Sequence, residues 1–258
     1  MAGEPARPAS GAGSGAGAQP GSGAAPGSGT APVLGGEPGP EAVVFDLDGV
    51  LVDSFDVMRR AFETAYAEVV GDGPAPFEEY SKHLGRYFPD IMRIMGLPPE
   101  IEEPFVRESH RLAGEVTVFD GVRPLLEELR RRGVALAVAT GKSGPRARSL
   151  LERLGIAGYF AHIIGSDEVP RPKPAPDIVR RALDLLGVPP GRALMVGDAV
   201  TDLRAARGAG VAAVAALWGE SEPGPLLAER PDAVLRRPAE LLGLLPVLTG
   251  APTVSEGA

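Results

Sequence analysis

The chain has 258 residues, 26 Lys and Arg against 34 Asp and Glu, a net charge of −8 and no cysteine. This excludes disulfides, thiolate nucleophiles and zinc–sulfur sites. The acidic balance argues against a long nucleic-acid interface, because phosphate contacts need clustered positive charge.

The 35 Gly and 27 Pro are unevenly spread. Residues 1–40 hold 12 Gly, 9 Ala, 7 Pro and 4 Ser. Such a segment buries too little apolar surface to offset its chain entropy and reads as a disordered tail. Residues 248–258 read as a loose C-terminus. The 218 residues after the tail carry a net charge of −7 and suffice for one large domain, or one with a smaller insertion. No apolar run approaches the ~18 residues of a membrane span, so no membrane partner is expected. The N-terminus lacks the basic start and apolar stretch of a signal peptide, which makes the expected location cytoplasmic. Twenty-three of the basic residues are Arg and only Lys82, Lys142 and Lys173 are Lys. With the Ala, Gly and Pro excess this reads as compositional bias, so no Arg stands out merely for being Arg.

From Ala42 onward, apolar runs alternate with helix-period segments. The runs are Ala42–Phe45, Val134–Ala139, His162–Ile164, Ala193–Val196, Val211–Leu217 and a weaker Ala233–Leu235. None alternates polar with apolar, as expected of strands covered on both faces. Between them Val122, Leu125, Leu126 and Leu129, then Ala147, Leu150, Leu151 and Leu154, then Ile178, Leu183 and Leu186 fall at helical spacing. The pattern predicts an α/β fold, a parallel sheet wrapped by helices. The interval from Phe45 to Val134 is far longer than one crossover helix needs. Helical stretches beginning at Phe55 and near Phe77–Leu84, Pro89–Met95 and Pro99–Val116 make it an inserted helical subdomain, residues 54–118. The core is then 41–53 with 119–247.

The strongest chemical signal is Val43-Val44-Phe45-Asp46-Leu47-Asp48-Gly49. An apolar strand runs into two carboxylates at i and i+2, which share a face if the strand persists. Ligands of open parallel sheets bind beyond the carboxyl ends of strands, where these two fall. An EF-hand reading fails, since the third acidic position and terminal Glu are missing. Val196-Gly197-Asp198 ends a second buried strand, with Asp202 one turn into the next helix. Carboxylates at adjacent strand ends can share a hard cation, and oxygen ligands favour Mg²⁺.

Thr140-Gly141-Lys142-Ser143 sets a hydroxyl and Gly-flanked N–H groups at another strand end, a cradle for phosphate. It is not a nucleotide P-loop, because Leu136 stands where that motif needs Gly. Lys173 sits among Pro170, Pro172, Pro174 and Pro176, a rigid presentation suited to a preorganised electrostatic role. With Asp46, Asp198 and Asp202 ionised, Asp48 protonated and Lys173 charged, the site carries −2. That repels a phosphate dianion until Mg²⁺ brings the sum to zero.

In order, Asp46-x-Asp48-Gly-Val, Thr140-Gly141, Lys173 and Gly197-Asp198-x-x-x-Asp202 resemble the four motifs of the haloacid-dehalogenase-like hydrolase superfamily. The likeness spans about Glu41 to Leu245, and the insertion resembles the helical cap of its phosphoglycolate-phosphatase-like branch. The resemblance implies a Rossmann-like core and hydrolysis of a small-molecule phosphate ester. By it Asp46 is the nucleophile, and Asp48 protonates the leaving oxygen, then activates water. Thr140, Gly141 and Lys173 would hold the phosphoryl group. Asp46, the Asp48 carbonyl and Asp198 would bind Mg²⁺, and Asp202 would orient ligands.

Departures narrow the branch. True haloacid dehalogenases lack the second Asp, so Asp48 argues against dehalogenation. Mutases resembling β-phosphoglucomutase carry a His where Met58 stands, twelve residues after Asp46. Ser54–Phe62, Leu84–Met92 and Thr140–Arg148 are similar to phosphatases associated with 3-amino-5-hydroxybenzoate synthesis, which implies an aminosugar substrate. By likeness to the cap specificity loop, Gly85-Arg86 is the stretch expected to choose the substrate, Arg86 pairing with its carboxylate or hydroxyl. Trp218, after the last central strand, reads as packing. A phosphoglycolate phosphatase proper, a sugar phosphomutase and a non-catalytic regulatory binding protein are the alternatives.

Overall fold

The computed structural model describes residues 39–71, 73–219 and 221–245. The expectations for the tail, except Gly39 and Pro40, and for residues 246–258 lie outside the described residues.

A six-stranded sheet is made by β1 (Ala42–Phe45), β4 (Ala135–Ala139), β5 (His162–Ile164), β6 (Ala193–Gly197), β7 (Ala212–Ala216) and β8 (Ala233–Leu235). Their order is β5-β4-β1-β6-β7-β8, and every pairing is parallel. A two-stranded ribbon of β2 (Val52–Asp53) and β3 (Thr117–Val118) stands apart from it.

The sheet has an apolar layer on each face, which is why its strands read as unbroken apolar runs. Val43 and Phe45 of β1 and Leu136 and Val138 of β4 point into one layer. There they meet α5 (Val122–Arg131) and α6 (Gly144–Arg153). The alternate residues Ala42, Val44, Ala137 and Ala139 point the other way. They pack on α7 (Asp177–Leu186) and α8 (Val200–Ala209), and a short α9 (Pro223–Ala228) follows.

Between β2 and β3 lie α1 (Phe55–Val69), α2 (Phe77–Ser81), α3 (Phe88–Met95) and α4 (Glu102–Leu112). They have an apolar core of their own, rich in stacked rings: Phe88 on Phe105 at 4.2 Å and Phe62 on Tyr80 at 4.4 Å. The chain leaves the sheet along β2 and returns along β3, with Val52 opposite Val118. Two readings need correction. The stretch expected helical to Leu84 stops at Ser81 and turns into the Gly85 loop. The stretch Pro99–Val116 splits into a 3₁₀ turn, α4 and a second 3₁₀ turn, because prolines at 99 and 104 and Gly114 interrupt one continuous helix. Among the described residues, no helix is long and apolar enough to cross a membrane.

Candidate active site

Phe45 pairs with Val138 on one side and Val196 on the other, so β1 ends between two neighbours of the same length. Asp46 continues the strand, its N–H donating to the Val196 carbonyl at 2.9 Å. Thr140 leaves β4 and Asp198 leaves β6 at the same level. These three residues collect at the carboxyl edge where the strand order switches sides, the usual ligand crevice of an open α/β sheet. Gly49 has φ +79°, and a Cβ there would fall 2.1 Å from Asp198 Oδ2. Only glycine lets the backbone after Asp48 approach Asp198 so closely.

Lys173 comes from the proline-bracketed loop, held by Ala175 N–H on the Pro172 carbonyl and an Arg171–Asp177 ion pair at 3.0 Å. Its side chain is fully buried. The ammonium donates to Asp46 Oδ1 at 2.8 Å, Asp202 Oδ1 at 2.6 Å and the Ala139 carbonyl at 3.2 Å, one acceptor for each of its protons. Burial opposes the charge, yet Asp202 and Asp46 outweigh it and hold the ammonium above its ordinary range. Asp202 Oδ2 accepts the Ala199 N–H at 3.1 Å, so both of its oxygens are engaged. Burial, with the Asp202 charge beside it, pushes Asp46 up to about 7 despite Lys173. Burial and the charges of Asp46 and Asp202 push Asp198 well above the carboxylate range.

Asp48 departs from expectation. The charge count takes it as protonated, but Lys142 Nζ stands 3.1 Å from Oδ2 and the Ser54 hydroxyl donates to Oδ1. Burial pushes the carboxyl up, and Lys142 and Ser54 more than reverse it, holding Asp48 below the usual range. Lys142 thus balances the charge of Asp48, while burial holds Asp46 and Asp198 toward their protonated forms, and a bound cation would favour their ionised forms. Sequence reasoning met Lys142 only as a failed P-loop lysine. Its position directly after Thr140-Gly141 was the available signal.

Thr140 is buried, its hydroxyl accepting the Lys142 N–H at 3.2 Å and its carbonyl accepting the Ser166 hydroxyl at 2.9 Å. Gly141 lies under the Gly85-Arg86 loop of the helical unit. Asp46, Asp48, Thr140, Gly141 and Asp198 line one pocket. Lys173 is buried behind Asp46. Arg86 lines the pocket from the helical side, with Met58, Tyr80, Phe88 and Phe105, while Arg146 joins Lys142 on the core side. Trp218 is not in the lining; its indole N–H donates to the Val50 carbonyl at 2.9 Å and ties the end of β7 to the turn before β2. Ser221 donates to Asp198 Oδ2 at 2.8 Å. Ser54, Ser221 and Arg146 were not foreseen. The serines carry no local motif, and Arg146 was lost among the many arginines.

One carboxylate oxygen from each of Asp46, Asp198 and Asp202 lies within 4.8 Å of the others. With Asp202 committed to Lys173 and Ala199, Asp46 and Asp198 are the donors left for an ion. An all-oxygen set suits a hard divalent cation, which would lift the mutual repulsion of these buried carboxylates.

A profile of haloacid dehalogenase-like hydrolases matches residues 40–210. The chain belongs to the haloacid dehalogenase-like hydrolase family. Phosphoglycolate phosphatase of Pseudomonas savastanoi pv. phaseolicola is 34% identical over 208 residues, 76% of each protein. The tyrosine-protein kinase PtkA of Mycobacterium bovis is 36% identical over 185 residues, 70% of this chain and 63% of that protein. The crystal structure of CbbY from Rhodobacter sphaeroides in complex with phosphate superposes with a TM-score of 0.68 at 32% identity. It covers 79% of this chain and 98% of that one. Asp46, Thr140 and Asp198 follow the ends of β1, β4 and β6, and Lys173 lies in the loop before α7.

Proposed function

We propose that this hydrolase of phosphate esters is a Mg²⁺-dependent phosphomonoesterase that works through an aspartyl-phosphate on Asp46. The observation that carries the reading is the state of Asp46. Lys173 takes its Oδ1 at 2.8 Å, and among the described residues no donor engages Oδ2, which faces the pocket as a fixed nucleophile. Thr140, the N–H groups around Gly141 and the charge of Lys173 would receive the phosphoryl oxygens. Asp46, Asp198 and the Asp48 carbonyl would hold Mg²⁺, whose positive charge offsets carboxylates and phosphate together. Asp48, ionised in the free site, would take a proton from a substrate bound as its monoanion, pass it to the leaving oxygen, and then take one from the water that attacks phosphorus on Asp46. Ser54 and Lys142 fix the direction of its carboxylate.

The helical unit is the cap in this reading, covering the pocket and selecting the leaving portion of the substrate. Met58 argues against a phosphomutase, because a thioether in the pocket wall carries no proton. The relative from Pseudomonas favours a small hydroxyacid phosphate such as 2-phosphoglycolate. The motif likeness to phosphatases of 3-amino-5-hydroxybenzoate synthesis adds an aminosugar phosphate.

The test is release of inorganic phosphate from 2-phosphoglycolate, hexose and aminosugar phosphates and a nucleotide sugar, compared by kcat/KM with Mg²⁺ and with chelator. Mg²⁺-dependent release from at least one ester is expected. Isomerisation without release would favour a mutase, and unchanged release in chelator would remove the cation from the account.

A further inference from the structure

Arg146 is used by nothing above, and its setting is unusual. It stands in the first turn of α6, six residues after Thr140, and its guanidinium lies over the Phe105 ring of α4 at 5.2 Å. A core side chain thus stacks on an aromatic of the cap. It lines the main pocket and also a second one between α1, α4 and α6, so it forms part of the wall between the two. Ser54, Met58, Phe105 and Lys142 share that wall.

Arg148 of the same helix pairs with Glu168 at 3.1 Å, whereas Arg86 and Arg153, which line the same pockets, have no ion pair among the described residues. Among the described residues no carboxylate lies within ion-pair distance of Arg146. Asp48 influences it most, but both Asp48 oxygens are already held by Ser54 and Lys142. Arg146 is only part-buried and none of its side-chain nitrogens is buried without a partner, so its polar edge is open to the pocket. Phe105 covers one face by cation–π attraction and leaves the edge N–H groups unmatched. That edge suits an oxyanion, which a guanidinium can grip through two parallel hydrogen bonds.

Position decides which anion. Lys173 and Thr140 bracket Asp46 and account for the transferred phosphoryl group. Arg146 lines the pocket on the side of Asp48 and Lys142, and if Asp48 serves the leaving oxygen, as proposed above, that side faces the leaving portion of the substrate. We propose that Arg146 is a specificity residue that binds an oxyanion on the leaving portion of the substrate, a carboxylate or a second phosphate, from the core side opposite Arg86. The assignment rests on the phosphatase reading and names the substrate class within it: phosphate esters carrying a second negative group.

The experiment compares wild type, Arg146→Met and Arg146→Lys by kcat/KM on three esters. These are 2-phosphoglycolate, a sugar bisphosphate, and β-glycerol phosphate, whose leaving portion is neutral. Arg146→Met is expected to lose about tenfold or more on at least one anionic ester, through KM, as befits one charged hydrogen-bonded contact. The neutral ester should change little, and Arg146→Lys should recover part of the loss. Selective loss on the carboxylate or on the bisphosphate tells which oxyanion is read. Equal loss on anionic and neutral esters would overturn the assignment while leaving the phosphatase standing. No hydrolysis of any ester by wild type would overturn the phosphatase reading, and Arg146's role with it. If Arg146→Met does not fold, the same ratio measured for Arg146→Lys decides the question.

Discussion

Gly141 of the core lies so close beneath Gly85 of the cap that a Cβ on Gly141 would meet the Gly85 carbonyl oxygen at 2.8 Å and that of Arg86 at 2.7 Å. The Gly85 loop meets the core at a second place: a Cβ on Gly85, where φ is +82°, would fall 2.4 Å from Thr201 Oγ1. The phosphate cradle and the loop expected to choose the substrate touch backbone to backbone. Gly141→Ala should hold the cap off the core by a fraction of an ångström to an ångström. A misplacement of that size costs on the order of 10²-fold in rate. The expected result is a fall in kcat/KM with little change in Tm, since Gly141 is outside both sheet layers. An unchanged kcat/KM would mean that this contact does not limit closure.

Lys173 is the only cation that touches Asp46 and Asp202 among the described residues. Lys173→Met leaves buried carboxylates facing one another without their counterion. Breaking a buried pair this way costs about 3–5 kcal/mol. Urea denaturation at pH 8 without divalent cations should show that loss, and Mg²⁺ should restore part of it.

Stability should also depend on pH in a defined direction. Asp46 rises on folding from 3.8 to about 7, and Asp198 rises well above 3.8. A carboxyl whose folded value is the higher one binds more protons when folded, so stability falls as pH climbs through that window. Asp48 is shifted the other way, below 3.8, and is fully ionised throughout the range tested. Cation-free protein should therefore melt at lower temperature at pH 8 than at pH 6. The gain in Tm from added Mg²⁺ should be larger at pH 8, above the value of about 7 for Asp46, where that carboxylate is ionised and ready to bind. A Mg²⁺ effect that shrinks as pH rises would contradict the proposed ligand set.

Ser221 donates to the Asp198 oxygen next to Gly49 and fixes that carboxylate's orientation. Outer partners of metal ligands typically matter by about 10- to 100-fold in affinity. Ser221→Ala should raise the Mg²⁺ concentration for half-maximal activity by a factor in that range. At saturating Mg²⁺, kcat should be nearly unchanged.

The sheet was legible because its central strands are apolar on both faces, and runs such as Val43-Val44-Phe45 have no alternative use. The aspartates were legible because each sits where such a run stops. Three things were hidden, for different reasons. The β2–β3 ribbon has two residues per strand, too few for any period to show. The ionised state of Asp48 depends on Lys142 and Ser54, whose side chains converge on it only in the folded chain. Arg146 is one Arg of 23, and only its place in the pocket wall over Phe105, 41 positions away, sets it apart.

The central claim is that Asp46 is the nucleophile of a Mg²⁺-dependent phosphatase. The most direct measurement is the initial rate of phosphate release at saturating Mg²⁺ for wild type and Asp46→Asn, each shown to be folded by its thermal melt. Asp46→Asn keeps the shape of the site and removes the attacking charge, so its rate should drop by three orders of magnitude or more, of the size seen when a nucleophile is removed (~10³ or greater). A folded Asp46→Asn enzyme that releases phosphate as fast as wild type would contradict the account.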